Sequence, residues 1–173
     1  MAESIYRLPH RFDVAQAQEE LNDPSVWNQH DERRRAYVHA GVDDIWVRYS
    51  PDGSHGPHTS EWYPVVRRIP AVWSLARRLY RAERGTRLGG VLVTRIPPGG
   101  GVHPHVDTGW HAGFYEKAAI QIKGDARQAF HFDDASLSAL DGESYAFDNS
   151  KLHWVTNDSD RERITLIVCM RRG

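Results

Sequence analysis

The strongest constraint on the fold lies in the second half of the chain, where short strand-like segments alternate with tight turns. The segments rich in β-branched, aromatic and other apolar residues are 90–96, 117–123, 128–132, 145–147, 154–156 and 164–170. The turn between the first two, at residues 97–101, reads Pro-Pro-Gly-Gly-Gly and cannot be crossed by a helix. Short strands with tight turns are typical of antiparallel double-sheet folds. We therefore predict a mainly β protein with flanking helices and a jelly-roll core.

The first half of the chain carries the helical signals. Asp13 can cap a helix over residues 14–21, and a second helix should begin after Pro70 and end at Gly85. Residues 45–49 alternate like a strand. The length of 173 residues suits one domain. We expect residues 1–89 to give helical and loop support and residues 90–173 to form the β core with the functional site.

Charge and composition argue against several classes of partner. The net charge of −1 and the isoelectric point of about 6.8 do not favour DNA or membrane binding. The single cysteine, Cys169, excludes an intrachain disulfide and fits a buried thiol. With no signal peptide or membrane-length apolar stretch, we expect a cytoplasmic protein. An arginine run is read as a solvated helix side, with an acidic docking partner as the alternative; its members are Arg77, Arg78, Arg81, Arg84 and Arg87.

Three residues of the second half can meet at one metal ion. His105 and Asp107 are two positions apart, so their side chains share a face of an extended segment. His153 follows a turn and opens a later strand that can lie beside the first. Two imidazoles and one carboxylate leave three octahedral positions open, as in Fe(II) oxygenases, whereas structural zinc is closed by four ligands. Five other histidines are assigned surface or structural roles: His10, His30, His39, His55 and His58.

An arginine after the last predicted ligand indicates how an acidic cosubstrate could be held. Arg163 and Thr165 would share one face of a strand, behind the metal. A guanidinium binds a carboxylate through two parallel hydrogen bonds, and the threonine hydroxyl can add another. This arrangement suits 2-oxoglutarate chelating Fe(II) through its keto-acid end, with O2 at the last position. The alternatives for Arg163 are a salt bridge with Glu162 or Asp160.

Residues that contact the substrate are harder to predict from the sequence. Trp110 and His111 follow the metal-binding pair and could line the mouth of the site. Gln121 belongs to the polar face of its strand, which points either to the cosubstrate or to solvent. Arg48 lies on the early strand and could belong to a lid. We expect a small-molecule or peptide substrate; the sequence gives no oligomeric state.

Several of these segments together resemble the aspartyl/asparaginyl β-hydroxylase family of Fe(II)/2-oxoglutarate-dependent oxygenases. The matching stretches are RIPPG at 95–99, HPHVD at 103–107, YAFDNSKLHWVTN at 145–157, and Arg163. The resemblance covers roughly residues 90–173 and implies a double-stranded β-helix of cupin-like form. It also implies His105 and His153 as iron ligands and Arg163 as the cosubstrate anchor.

Asp107 separates this chain from the vertebrate member that names the family, which lacks the carboxylate ligand. Small bacterial amino-acid hydroxylases of the family have it. The expected activity is therefore hydroxylation of an unactivated C–H bond of an amino acid or of a peptidyl Asp/Asn-type residue. Two alternatives stay open: a cupin-type metal enzyme that does not use 2-oxoglutarate, and an oxygenase that acts on nucleic acid.

Overall fold

The computed structural model describes residues 3–173 as two antiparallel sheets with helices on one side. The strands are β1 (Ile5–Arg11), β2 (Asp43–Tyr49), β3 (Glu61–Trp62), β4 (Gly85–Ile96), β5 (Gly101–His105), β6 (Glu116–Lys123), β7 (Gln128–Phe132), β8 (Ser136–Leu137), β9 (Glu143–Phe147), β10 (His153–Asn157) and β11 (Arg163–Arg172). The helices are α1 (Ala15–Glu20), α2 (Pro70–Ala82) and α3 (Trp110–Phe114). Short 3-10 turns occur at Pro24–Val26, Tyr37–His39 and Pro64–Arg67.

The two sheets differ in size. The larger has seven strands in the order β1-β9-β6-β11-β4-β2-β3, and the smaller has four in the order β5-β10-β7-β8. Neighbours in the larger sheet are mostly distant in sequence, as in the pairing of β11 with both β4 and β6. This is the double-stranded β-helix that the second half of the chain predicts.

The central strand β11 has one face packed against the core and one face that lines a cavity. Ile164, Leu166 and Val168 belong to the core cluster shared with the helices. Arg163 and Thr165, at the alternate positions, line a cavity on the other face. The two-residue period of a strand produces this division. The polar residues of β11 therefore face the space between the sheets.

Helices α1 and α2 cover the outer face of the larger sheet. In α2 the apolar stripe Val72, Leu75 and Leu79 is buried in the same cluster as the outward residues of β11. Asp13 accepts a hydrogen bond from Ala15 N at the start of α1, at 3.1 Å, as expected of a helix-start residue. Both predicted helices are thus present, and they stabilise the sheet by burying apolar surface.

The structure corrects the expected boundary between the halves. Residue 89 lies inside β4, which begins at Gly85, and β1, β2 and β3 join the larger sheet. Helix α2 ends at Ala82, and Arg84, with φ of 53°, reverses the chain before Gly85 opens the strand. The strands of the first half pair with strands far along the chain, such as Ile5 opposite Phe147, so local patterns do not reveal that they belong to the sheet.

Within residues 3–173, no helix combines the length and the apolar character that crossing a membrane requires.

Candidate metal centre and cosubstrate pocket

Strand pairing in the smaller sheet brings the predicted metal ligands together. His105 ends β5 and is paired directly with His153, the first residue of β10. Asp107 follows β5 by two residues, and its backbone N–H donates to the carbonyl of Asn149 at 3.1 Å. One ligand atom from each of His105, Asp107 and His153 lies within 4.8 Å of the others. The three residues thus form one cluster at the edge of the cavity.

Backbone hydrogen bonds determine which ring nitrogen of His105 and His153 carries the hydrogen. His105 Nδ1 lies 2.8 Å from the carbonyl of His103, and His153 Nδ1 lies 2.8 Å from that of Lys151. A carbonyl only accepts, so Nδ1 is the donor in each ring and Nε2 keeps its free lone pair. Metal-binding histidines are commonly oriented in this way. The donor set therefore fits a divalent cation with open positions.

Asp107 is held as a carboxylate. Burial raises its pKa, but the close approach of His105 and the charge of Lys117 outweigh burial and bring the pKa well below its usual range. The Lys117 ammonium donates to Oδ2, while Oδ1 lies 3.4 Å from His105 Nε2. Burial also lowers the pKa of His153. Both shifts favour the charge states in which these groups bind a metal.

Arg163 lies deep between the sheets, in a set of neutral hydrogen-bond partners. Its side chain donates to Thr165 Oγ1 at 2.7 Å and to the Tyr145 hydroxyl at 3.1 Å. The residue is 5% exposed. No carboxylate among the described residues forms an ion pair with it, since Glu162 pairs with Lys123 at 2.6 Å and Asp160 with Arg127 at 2.8 Å. The two salt-bridge alternatives are thus absent, and the guanidinium is left for an external anion.

One cavity of about 370 Å³ joins the two groups. Its walls include the predicted ligands His105, Asp107 and His153, together with Arg163 and Thr165. The volume is in the range of small-ligand sites. A dicarboxylate that reaches from the metal cluster to Arg163 would therefore stay within one cavity.

The four residues predicted to contact substrate have different positions. His111 lines the cavity, and its Nε2 accepts a hydrogen bond from Gly90 N at 3.0 Å. Gln121 is fully buried and accepts from Thr165 Oγ1 at 3.3 Å, so it supports the Arg163 group from behind. Trp110 packs on Phe114 outside the cavity wall. Arg48 donates to the carbonyls of Leu88 and Gly89 and does not line the cavity.

Sequence reasoning missed residues from the segment 28–42. His39, assigned to the surface or a structural role, is 8% exposed and packs edge-on against His105 with ring centroids 5.0 Å apart. Burial, followed by the charge of Arg33, lowers its pKa to about 3. Arg33 also lines the cavity, as do His30 and His55. The segment has no strand or helix periodicity, so nothing in its pattern signals that it closes the site.

The fold and the site together define a class: a double-stranded β-helix with an open cluster of two histidines and one carboxylate. Structural comparison agrees on the fold. The collagen prolyl hydroxylase of Paramecium bursaria Chlorella virus-1, in its 2OG complex, superposes with a TM-score of 0.58 at 12% identity, over 99% of this chain and 97% of that one.

Two bacterial structures are also similar. A 2OG-Fe(II) oxygenase family oxidoreductase from Burkholderia pseudomallei gives a TM-score of 0.55 at 14% identity, covering 94% of this chain and 91% of that one. A Pseudomonas putida prolyl-4-hydroxylase gives 0.51 at 13% identity, covering 99% and 94%. No curated protein matches the sequence.

The chain belongs to the aspartyl/asparaginyl β-hydroxylase family, whose model matches residues 12–173. The resemblance found in the sequence motifs is confirmed. The match starts well before residue 90, so it also includes helices and strands of the first half.

Proposed function

We propose that this protein is an Fe(II)- and 2-oxoglutarate-dependent hydroxylase, with Fe(II) held by His105, Asp107 and His153. Arg163 and Thr165 bind the far carboxylate of 2-oxoglutarate. The observation that carries the proposal is that an open metal-binding cluster and a buried arginine, which has no carboxylate partner within residues 3–173, line the same cavity. Family membership supports the same conclusion.

Bound Fe(II), with 2-oxoglutarate and O2, supplies the oxidising power for hydroxylating an unactivated C–H bond. The chain's own residues bind and orient. The carbonyls of His103 and Lys151 hold the two imidazoles with Nε2 free. Lys117 keeps one oxygen of Asp107 occupied, which leaves the other for the metal.

The Arg163 group is organised before any ligand arrives. Thr165 and Tyr145 accept from the guanidinium, and Gln121 in turn accepts from Thr165. A buried, preformed group of this kind binds an anion without the entropic cost of ordering side chains. This network is the reason to prefer 2-oxoglutarate chemistry over a cupin-type metal enzyme, which needs no buried arginine.

The expected substrate is an amino acid or a peptidyl Asp/Asn-type residue, converted in the cytoplasm by a single-domain enzyme. We retain an oxygenase acting on nucleic acid only as the outcome that an oligonucleotide substrate would establish. The chain's net charge of −1 does not favour it.

The test is succinate formation with Fe(II), ascorbate and 2-oxoglutarate across amino acids, peptides and oligonucleotides, with anaerobic binding of 2-oxoglutarate measured in parallel. We expect Arg163→Met to weaken 2-oxoglutarate binding by about 10- to 100-fold. The matched control is Arg161→Met, because Arg161 lies two residues earlier and is tied to Asp141 at 3.5 Å. Equal 2-oxoglutarate binding by the Arg163 variant and the wild type would contradict the proposal.

A further inference from the structure

A second arginine, Arg33, lines the cavity together with His39, and both come from a different part of the chain than Arg163. Arg33 and His39 come from the segment 28–42, whose 3-10 turn at Tyr37–His39 packs on β5. His39 lies edge-on against the predicted ligand His105. The proposed handling of iron and 2-oxoglutarate uses neither residue. This wall therefore needs an explanation of its own.

Both residues carry buried polar atoms without hydrogen-bond partners among the described residues. These atoms are Arg33 Nη1 and His39 Nδ1. The nearest carboxylate oxygen to Arg33 is Asp44 Oδ2, which lies 3.9 Å from Nη1, too far for a hydrogen bond. Buried polar atoms nearly always have a hydrogen-bond partner in native proteins, and the ion pair with Asp44 does not give Arg33 Nη1 one. An anionic ligand in the cavity would supply the missing acceptor.

The chemistry of the wall favours a carboxylate. Arg33 contributes the only full positive charge of this pair, and a guanidinium matches the two oxygens of a carboxylate. Asp44 offsets part of that charge, which disfavours a doubly charged group such as a phosphate. We propose that Arg33 and His39 bind a carboxylate of the primary substrate, next to the metal. The inference rests on the proposed function and defines the substrate as a small free amino acid.

The position of this group limits the size of the substrate. Because His39 contacts the His105 ring, the bound carboxylate would lie close to the metal. The C–H bond that reacts is then only a few bonds from that carboxylate. The cavity thus has two anion sites, with Arg163 for the cosubstrate and Arg33 for the substrate.

The competing explanation is that Arg33 only neutralises the buried carboxylate of Asp44. Burial raises the pKa of Asp44, so removal of Arg33 alone could weaken the fold. The double variant Arg33→Met/Asp44→Asn removes both charges and separates the two roles. Arg34→Met is the matched control, since Arg34 is the neighbouring arginine, also has a buried unpartnered nitrogen, Nε, and does not line the cavity.

The experiment measures anaerobic binding of the twenty L-amino acids and their carboxamides, by calorimetry, to protein loaded with Fe(II) and 2-oxoglutarate. We expect the wild type to bind at least one amino acid and to bind its carboxamide about 10- to 100-fold more weakly, as for loss of a charged hydrogen bond. Arg33→Met and the double variant should lose binding of the acid by a similar factor. Arg34→Met should bind like the wild type.

Three results would overturn the assignment: recovery of acid binding in the double variant, equal binding of acid and carboxamide by the wild type, or no binding of any amino acid in the panel. Affinity for 2-oxoglutarate is recorded for every protein. If the wild type does not bind 2-oxoglutarate, the proposed function itself is wrong. Unchanged 2-oxoglutarate binding alongside any of the three results would defeat only the assignment of Arg33.

Discussion

The two arginine walls of the cavity are built in opposite ways. Arg163 lies on a central strand, and its side chain is hydrogen-bonded to Thr165 and Tyr145. Arg33 lies in an irregular segment, with Nη1 buried and no hydrogen-bond partner among the residues described. An arginine whose position is fixed by neighbouring side chains suits a ligand that is the same in every turnover. A wall with unmet donors suits a ligand that completes it, and such walls can differ between relatives that share one cosubstrate.

The largest expected effect on activity comes from His153, which lines the same cavity as Arg33 and Arg163. His153→Ala removes a predicted metal ligand and should abolish hydroxylation and weaken metal binding. Loss of outer partners alone costs about 10- to 100-fold in metal affinity, so loss of a ligand should exceed about 100-fold. Metal titration with Co(II) and succinate assays measure both. His131→Ala is the control, because His131 lies on β7 and pairs with Thr156 at 3.0 Å. Full metal affinity in His153→Ala would exclude it as a ligand.

The next largest effect tests the role of Arg163 in binding 2-oxoglutarate. Arg163→Met should raise the KM for 2-oxoglutarate by about 10- to 100-fold, the worth of a charged hydrogen bond. It should leave affinity for the carboxylate substrate largely unchanged. Kinetics with each ligand varied separately make the distinction. Arg163→Lys keeps the charge and serves as the folded control if the methionine variant is unstable. A rise confined to the KM of the primary substrate would reverse the roles assigned to the two walls.

A pH experiment tests the mouth of the cavity, where His111 is a hydrogen-bond acceptor. Burial lowers the pKa of His111 from 6.5 to about 4. The folded state therefore resists protonation, and its stability is complete above pH 6.5 and declines as the pH falls towards 4. His111→Gln should reduce that decline in urea denaturation midpoints. His55→Gln, at an exposed position, should reproduce the wild-type curve. An identical decline in the His111 variant would assign the acid sensitivity to other groups.

The smallest expected effect concerns the contact that holds the segment 28–42, which carries Arg33 and His39, against β5. Tyr37 is 76% exposed, and its ring stacks on His103 with centroids 4.7 Å apart. Tyr37→Ala should cost about 0.5–1.5 kcal/mol at most, the worth of one aromatic pair. Amide exchange in residues 36–42 should rise while exchange in β11 stays constant. The double variant with His103→Ala should add little to the single change. Equal increases of amide exchange in residues 36–42 and in β11 would mean that the two regions do not open independently.

The pattern of the second half was sufficient to predict the regular part of this protein. Strand alternation predicted that Arg163 and Thr165 share a face, and the pairing of two short strands explains how His105 meets His153. Residue types then restricted the chemistry, because two imidazoles and a carboxylate favour an open metal site. The strand pairing and the shared face followed from local periodicity, and the proposed metal chemistry rests on ligand preferences. Both are properties of the sequence.

Tertiary structure alone decided which other residues complete the cavity. The face of β6 that carries Lys117 and Gln121 could have pointed to solvent or inward, and sheet packing turned it inward. Arg48 was directed to backbone carbonyls instead of the cavity. Arg33 and His39 reached the site through an irregular segment that has no period to read. The sequence by itself predicted most strands of the second half, the meeting of His105, Asp107 and His153, and the shared strand face of Arg163 and Thr165. Long-range packing determined that Arg33 and His39 line the same cavity, because contacts between distant segments leave no local signal.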